Sequence, residues 1–324
     1  MTTFFAYSNP YYDQGIFGFF WVLIQRLWLG LQGRLSIADI VTDELQIIVL
    51  SSVAVSAALV GSFLVFRKMT MLANALSHTI LVGIVLAYLF FKGTQGAVGD
   101  HYHHSLSLGM LFAAALVTGL VTTFFTEFLS KVLKLQEDAS IGIVFTSLFA
   151  MGIILVTLLT RNVHIGAEVV MGNVDALHLD DLKLVGMILL MNVVVIFFFF
   201  KEFQLTTFDP SFAKAIGVST LIFHYLLMMQ ASATVIGAFR AVGVIMVLAF
   251  LTAPTLTARL MTHRLKPMLA IASVIGVLAS VLGVAISRHL FSTAGFALST
   301  GGIVVCVLVV FYMAAASVYL FRHS

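Results

Sequence analysis

Charge is what this 324-residue chain lacks most. Only 10% of its residues are Asp, Glu, Lys or Arg, where a water-soluble domain carries roughly a quarter, so there is no stretch left for a soluble catalytic domain. Cysteine occurs once, as Cys306 inside an apolar run, which excludes a disulfide framework and any multi-cysteine zinc or iron–sulfur site. It reads as a buried packing residue. The first basic residue is Arg26, so the start of the chain lacks the charge of a secretory signal. Also missing are the G-x-x-x-x-G-K-[ST] phosphate loop, H-E-x-x-H, G-x-S-x-G and paired intramembrane carboxylates. The chain is therefore not expected to hydrolyse ATP itself, and it shows no protease or hydrolase signature.

In place of charge there are apolar residues, 61% of the chain, with a mean hydropathy of +1.10. Such values belong to an integral membrane protein. The apolar residues come in unbroken runs of about twenty, the length of a helix across roughly 30 Å of hydrocarbon, and not in the alternation of a membrane β-barrel. The expected fold is thus an all-α polytopic transmembrane bundle of about nine spans, with eight to ten as the range. The runs lie near 45–66, 71–91, 105–126, 139–160, 184–200, 217–236, 241–261, 268–287 and 296–321. Gly237 and Arg240 mark the expected turn inside the long stretch 217–261. Residues 1–44 form an N-terminal extension and 45–324 the transmembrane domain. Within the extension, Gln25 and Arg26 interrupt the apolar stretch Gly15 to Leu31, which reads as an amphipathic interfacial helix, a tenth span being the alternative. The phenylalanines Phe197 to Phe200 read as lipid-facing packing near a membrane edge.

Cytoplasmic loops retain Lys and Arg. Alternate loops place ten bases on one side (Arg67, Lys68, Lys131, Lys134, Lys201, Lys214, Arg259, Arg264, Lys266, Arg322) against five acids. The other side holds seven bases and nine acids. The first side is expected in the cytoplasm, with the N-terminus outside. The basic pI reflects this topology, and no clustered basic face suggests nucleic acid.

An ionisable group at mid-bilayer costs on the order of 3 kcal/mol, so polar residues within the runs are informative. Asn74 and His78, at the start of the second run, are four apart and share one helix face, able to present two ligands to one ion. The alternative is a helix cap at Asn74 and an interhelical hydrogen bond from His78. Asp100, His101, His103 and His104, in an outer loop, could capture a divalent metal, although loop histidines commonly do nothing selective. A second outer loop carries His164, Glu168, Asp175, His178, Asp180 and Asp181, a mildly acidic surface. Pro254 is expected to kink or end its helix, leaving Thr255 to Leu265 as a short basic amphipathic stretch on the cytoplasmic side or an ordinary positive loop.

Several segments together resemble the permease subunits of the manganese, zinc and iron ABC importers, the ABC-3 family. They are G-S-F-L-V-F-R-K-M-T-M-L-A-N-A-L-S-H (61–78, with its continuation to 87), E-D-A-S-I-G-I-V-F-T-S-L-F-A-M-G (137–152), V-V-M-G-N (169–173), F-D-P-S-F-A-K-A-I-G-V (208–218) and A-V-G-V-I-M-V-L-A-F-L-T-A-P-T-L-T-A-R-L (241–260). The resemblance runs from about Asp43 to the C-terminus and leaves the first forty residues outside. It implies a permease of the ABC-3 and vitamin-B12-permease architecture in the bacterial inner membrane. Its partners would be a second permease subunit (as a homo- or heterodimer), a cytosolic ABC ATPase and an extracytoplasmic metal-binding protein, with no permanently bound cofactor and manganese, zinc or iron as cargo. It makes His78 a ligand in the translocation path. Asn74 stands where the family usually has Asp, which suggests a partner permease that keeps the acid or an altered metal preference. Arg240 departs from an uncharged position. The stretch after Pro254 becomes a coupling segment to the ATPase, through Thr255, Arg259, Leu260, His263 and Arg264. A stand-alone proton-coupled metal carrier is the competing reading, and against it stands the shortage of intramembrane carboxylates for a relay. A membrane enzyme using His78 would lack a nucleophile or a second strong ligand.

Overall fold

The computed structural model describes residues 9–11, 15–34, 40–72, 74–76, 78–79, 82–83, 85–86, 108–160, 174–295 and 298–323. In hydrocarbon every backbone N–H and C=O must be satisfied within its own segment, and the described chain is accordingly helical. In order the helices are α1 (Ile16–Leu31), α2 (Thr42–Phe66), α3 (Leu108–Lys131), α4 (Glu137–Thr160), α5 (Leu179–Phe198), α6 (Phe200–Phe208), α7 (Pro210–Ala215), α8 (Thr220–Val242), α9 (Val244–Met261), α10 (Leu265–Ala294) and α11 (Thr300–His323). Among the described residues seven helices are long and apolar enough to cross a membrane: α2, α4, α5, α8, α9, α10 and α11. They fall on seven of the predicted runs. The third run carries the 24-residue α3, and the second, 71–91, is helical wherever it is described. α1 has 16 residues, about 24 Å of helix, short of the hydrocarbon thickness.

Helix starts follow local chemistry. Asp43 and Glu44 lie in the first turn of α2, where the positive end of the helix favours carboxylates, and Glu44 accepts from the Val41 N–H at 3.2 Å. Asp181 does the same for His178 at the start of α5, at 2.9 Å. At α7, Asp209 accepts from the Phe212 N–H at 2.9 Å and Pro210 takes the first helical position, where its missing N–H costs nothing.

α2 is the axis of the bundle, with α5, α8, α9 and α10 packed around it. Lipid tails are as apolar as the side chains, so helices associate by close packing and by buried polar contacts. Both are present on α2. A Cβ on Gly61 would run into the Leu251 carbonyl oxygen of α9, so the two backbones touch, and one on Gly276 of α10 would lie 2.9 Å from the Ala54 Cβ. At mid-helix, Asn192 of α5, fully buried, donates at 2.6 Å to both Ser56 of α2 and Thr234 of α8, and Gln230 of α8 donates to its side-chain oxygen at 3.3 Å.

Several expectations need correction. The break between α8 and α9 lies at Gly243, with φ 81, not at Gly237. Gly237 is small because α5 crosses it, and a Cβ there would strike Ile188. Pro254 does not end α9, which runs through it to Met261, and Thr255 beside it is buried against Ser62 of α2 at 3.3 Å. No separate helix follows Pro254: only Thr262 to Arg264 lie between α9 and α10. Cys306 is exposed because α11 lies at the edge of the bundle, most of its length facing outward. Phe197, Phe198 and Phe199 are exposed as expected, whereas Phe200 turns inward, 6.4 Å from the Phe63 ring.

Overpacking costs about 1–3 kcal/mol, so Gly61→Ala is expected to lower the thermal unfolding midpoint of the detergent-purified protein by several degrees. Gly302→Ala, whose Cβ meets nothing within 4 Å, should leave the midpoint unchanged or raise it. Equal midpoints for the two variants would contradict the close approach of α2 and α9.

Candidate functional site

Asn74 and His78 lie in the helical part of the second run, entered from α2 through a turn at Arg67 and Lys68, the latter at φ 58. Four residues apart on a helix, they lie one turn from each other on the same face. Both are partly exposed. The His78 ring packs against Phe145 and Phe149 of α4, with centroids at 5.1 and 5.5 Å. Next to it the Thr79 and Thr122 hydroxyls meet at 3.0 Å, fixing the segment against α3. Among the described residues no group of three or more His, Cys, Asp or Glu is placed to hold a metal ion. Asp100, His101, His103 and His104 lie outside the described residues, as do His164 and Glu168.

At the end of the bundle where α2 finishes, four loops converge. A cavity of about 730 Å³ is lined by Arg67, Lys68, Lys131 and Lys214 together with Glu127 and His224. Bases that the loop count assigns to one side are thus gathered at one end. Arg67 is the knot: its guanidinium donates to Thr207 at 3.0 Å and to Thr206 at 2.7 Å, tying α2 to α6, and burial pushes its pKa down to about 10. Phe63 and Phe66 of α2 pack on Phe203 and Phe208 of α6, at 5.4 and 5.1 Å between centroids. The α6–α7 elbow is therefore fastened to the turn that leads into Asn74 and His78.

Beside the elbow, Phe208, Phe212 and Ile216 are more than half exposed. A cleft of about 610 Å³ runs from Gln204 and Phe208 to His263, Arg264, Leu265 and Lys266. Of the residues expected to couple to an ATPase, Arg259, His263 and Arg264 are exposed and Leu260 half-buried, while Thr255 is fully buried and faces α2. Thr255 cannot meet a partner. The sequence reading missed α7, although the F-D-P block carries a helix start in Asp209 and Pro210.

The opposite end is polar in another way. Asn9 donates to Asp43 at 2.6 Å, Arg288 of α10 lies 3.7 Å from the same carboxylate, and Tyr11 donates to Glu44 at 2.8 Å, with Arg26 of α1 paired to Glu44 as well. Burial and the Glu44 carboxylate raise the Tyr11 pKa well above its ordinary value. Thr300 donates to Asp175 at 2.6 Å. A cleft of about 580 Å³ opens between Asp43, Asp175, Arg288 and Thr300. Of the second outer loop, Asp175, His178 and Asp180 are exposed, whereas Asp181 is buried as a helix cap.

The chain is similar to known proteins along nearly its whole length. It is 41% identical over 320 residues to a protein of Chlamydia muridarum described as a probable metal transport system membrane protein, covering 98% of both chains. It is 38% identical to the manganese transport system membrane protein MntD of Bacillus subtilis, over 71% of this chain and 78% of that one. Among solved structures it matches PsaBC from Streptococcus pneumoniae in complex with Fab, with a TM-score of 0.68 and 28% identity over 83% of this chain and 89% of that one. Residues 43–319 match the profile of the ABC 3 transport family. The chain belongs to that family, as a multi-pass permease subunit of the bacterial cytoplasmic membrane and not an enzyme.

Proposed function

We infer that this chain is the permease subunit of an ABC importer that moves divalent transition metal ions, manganese, zinc or iron, into the cytoplasm. The observation that carries the reading is the family match across residues 43–319, which contains both Asn74 and His78. The Arg67 end faces the cytoplasm and the Asp43 end the outside, as the excess of bases at the former requires. A second permease completes the path and brings its own ligands to the Asn74 and His78 face. An amide oxygen carries no charge to offset a divalent cation, so a partner with an acid at that position compensates best. The ATPase docks at the Arg67 end on the exposed apolar tip of α7 and on Arg259, His263 and Arg264. Movement imposed there reaches the metal path through Arg67 and the α2 turn. The extracytoplasmic binding protein meets the end that carries Asp175, His178 and Asp180. Asp100, His101, His103 and His104 serve as an outer capture loop for the arriving ion.

Sidedness is read by cysteine labelling in a Cys306→Ser background. Asp180→Cys should react in whole cells with an impermeant thiol reagent, and Gln136→Cys only after lysis. The reverse pattern overturns the orientation.

Replacing His78 by Ala is expected to abolish metal uptake by the assembled transporter while leaving assembly intact, since it removes the strong ligand of the pair. Asn74→Asp should tighten divalent binding and slow release, because a site that conducts must also let go. Indifference of both affinity and uptake to the two changes would return His78 to an interhelical packing role.

Uptake in vesicles should require ATP and the ATPase subunit. Phe212→Ala with Arg264→Glu should uncouple the ATPase without unfolding the permease. Uptake by the purified chain alone, following a proton gradient, would establish the carrier alternative.

A further inference from the structure

The cavity at the Arg67 end holds a pair that neither the path nor the docking surface uses. Glu127, in the last turns of α3, and His224, in the second turn of α8, come from different helices, and the His224 Nε2 atom lies 3.3 Å from the Glu127 Oε1 atom. Each side chain is 16% exposed. The Nε2 atom is buried and makes no hydrogen bond, an arrangement that costs free energy unless something else satisfies the group. Two ligand atoms each about 2.1 Å from one metal ion, at the angles of tetrahedral or octahedral coordination, lie about 3.0–3.4 Å apart. The observed separation has that bite.

The pair opens into the cavity of about 730 Å³, which supplies water for the remaining coordination positions. Leu72, in the same run as His78 and six positions before it, lines that cavity, a rise of about 9 Å at helical spacing. The cavity with Glu127 and His224 thus lies at the end of the bundle toward which the His78 helix leads back to Leu72 and the α2 turn.

We propose that Glu127 and His224 form a transient coordination site for the divalent metal cargo on the cytoplasmic side of the path. This rests on the importer reading. The Lys131 ammonium, 2.6 Å from the same Glu127 oxygen and 64% exposed, stands in for the ion in its absence and swings into the water when the metal arrives. Arg67, Lys68 and Lys214 on the cavity wall keep the site electrostatically shallow, so the ion is handed on and not stored. Two protein ligands with water are weak by design, as an exit demands.

The test uses the purified full-length chain in nanodiscs with His78, His101, His103 and His104 replaced by Ala, titrated with Co²⁺ and read by visible absorption of the bound ion. One weak site is expected. His224→Ala and Glu127→Gln should each weaken it at least about tenfold, Glu127→Asp should restore part of the affinity, and Lys131→Gln should tighten it several-fold by removing the competing cation. If the four-alanine background does not fold, the same subtraction is made between the unaltered chain and His224→Ala. In the assembled transporter His224→Ala should lower the maximal uptake rate with little change in KM. Co²⁺ binding that ignores both ligand changes, or that weakens in Lys131→Gln, overturns the proposal and leaves a structural α3–α8 ion pair. The titration needs no ATPase, so it reads separately from the importer assignment, which fails only if the native complex does not take up metal with ATP.

Discussion

The contact of α2 with α9 at Gly61 sets the spacing of the whole bundle. In a bilayer no hydrophobic gain rewards helices for leaving lipid, so association depends on how closely backbones can approach and on the polar groups they bring together. Gly61 lets α9 lie against α2 backbone to backbone, and Ala54 with Gly276 does nearly the same for α10. The Asn192 network then pins α5 and α8 to the remaining face. Such contacts are worth about 0.6 kcal/mol each on average, so the register of α2 rests on several of them acting together.

Because α2 is held along its length, its cytoplasmic end is a firm anchor. Arg67 binds the α6–α7 elbow there, and Arg259 of α9 sits over the Phe66 ring at 5.6 Å. The segment with Asn74 and His78 leaves from the same turn. In the proposed importer, a partner pressing on α7 and an ion resting on His78 would act on neighbouring parts of one junction, and no long chain of contacts would be required between them.

Much of this was legible in the residues. Runs of about twenty apolar residues located the helices, because the thickness of hydrocarbon leaves little freedom of length. The division of Lys and Arg grouped the loops, and Arg67, Lys68, Lys131 and Lys214 indeed share one cavity. Glycine was harder, since a packing glycine and a turn glycine look alike in sequence: Gly237 is the first kind and Gly243 the second, and only the helix crossing over Gly237 distinguishes them. At Pro254, of the two outcomes expected, an end to the helix does not occur, the residues around it being buried as α9 runs on to Met261. The Glu127–His224 pair could not be read at all, because 97 positions separate residues that only the packing of α3 on α8 brings together.

The clamp on Asp43 and Glu44 joins the N-terminal segment to the part of the chain that the family match covers. The family profile begins at residue 43, so the two carboxylates belong to the shared core, while Asn9, Tyr11 and Arg26 that bind them belong to the extension. The Chlamydia muridarum relative aligns over 98% of this chain, and MntD over 71%. The N-terminal segment thus meets the charges at the end of a helix that lies within the family match. With those acids buried under a tyrosine and an arginine, loss of the segment would leave the Glu44 carboxylate without Tyr11 and Arg26 and uncover α10 where α1 lies against it.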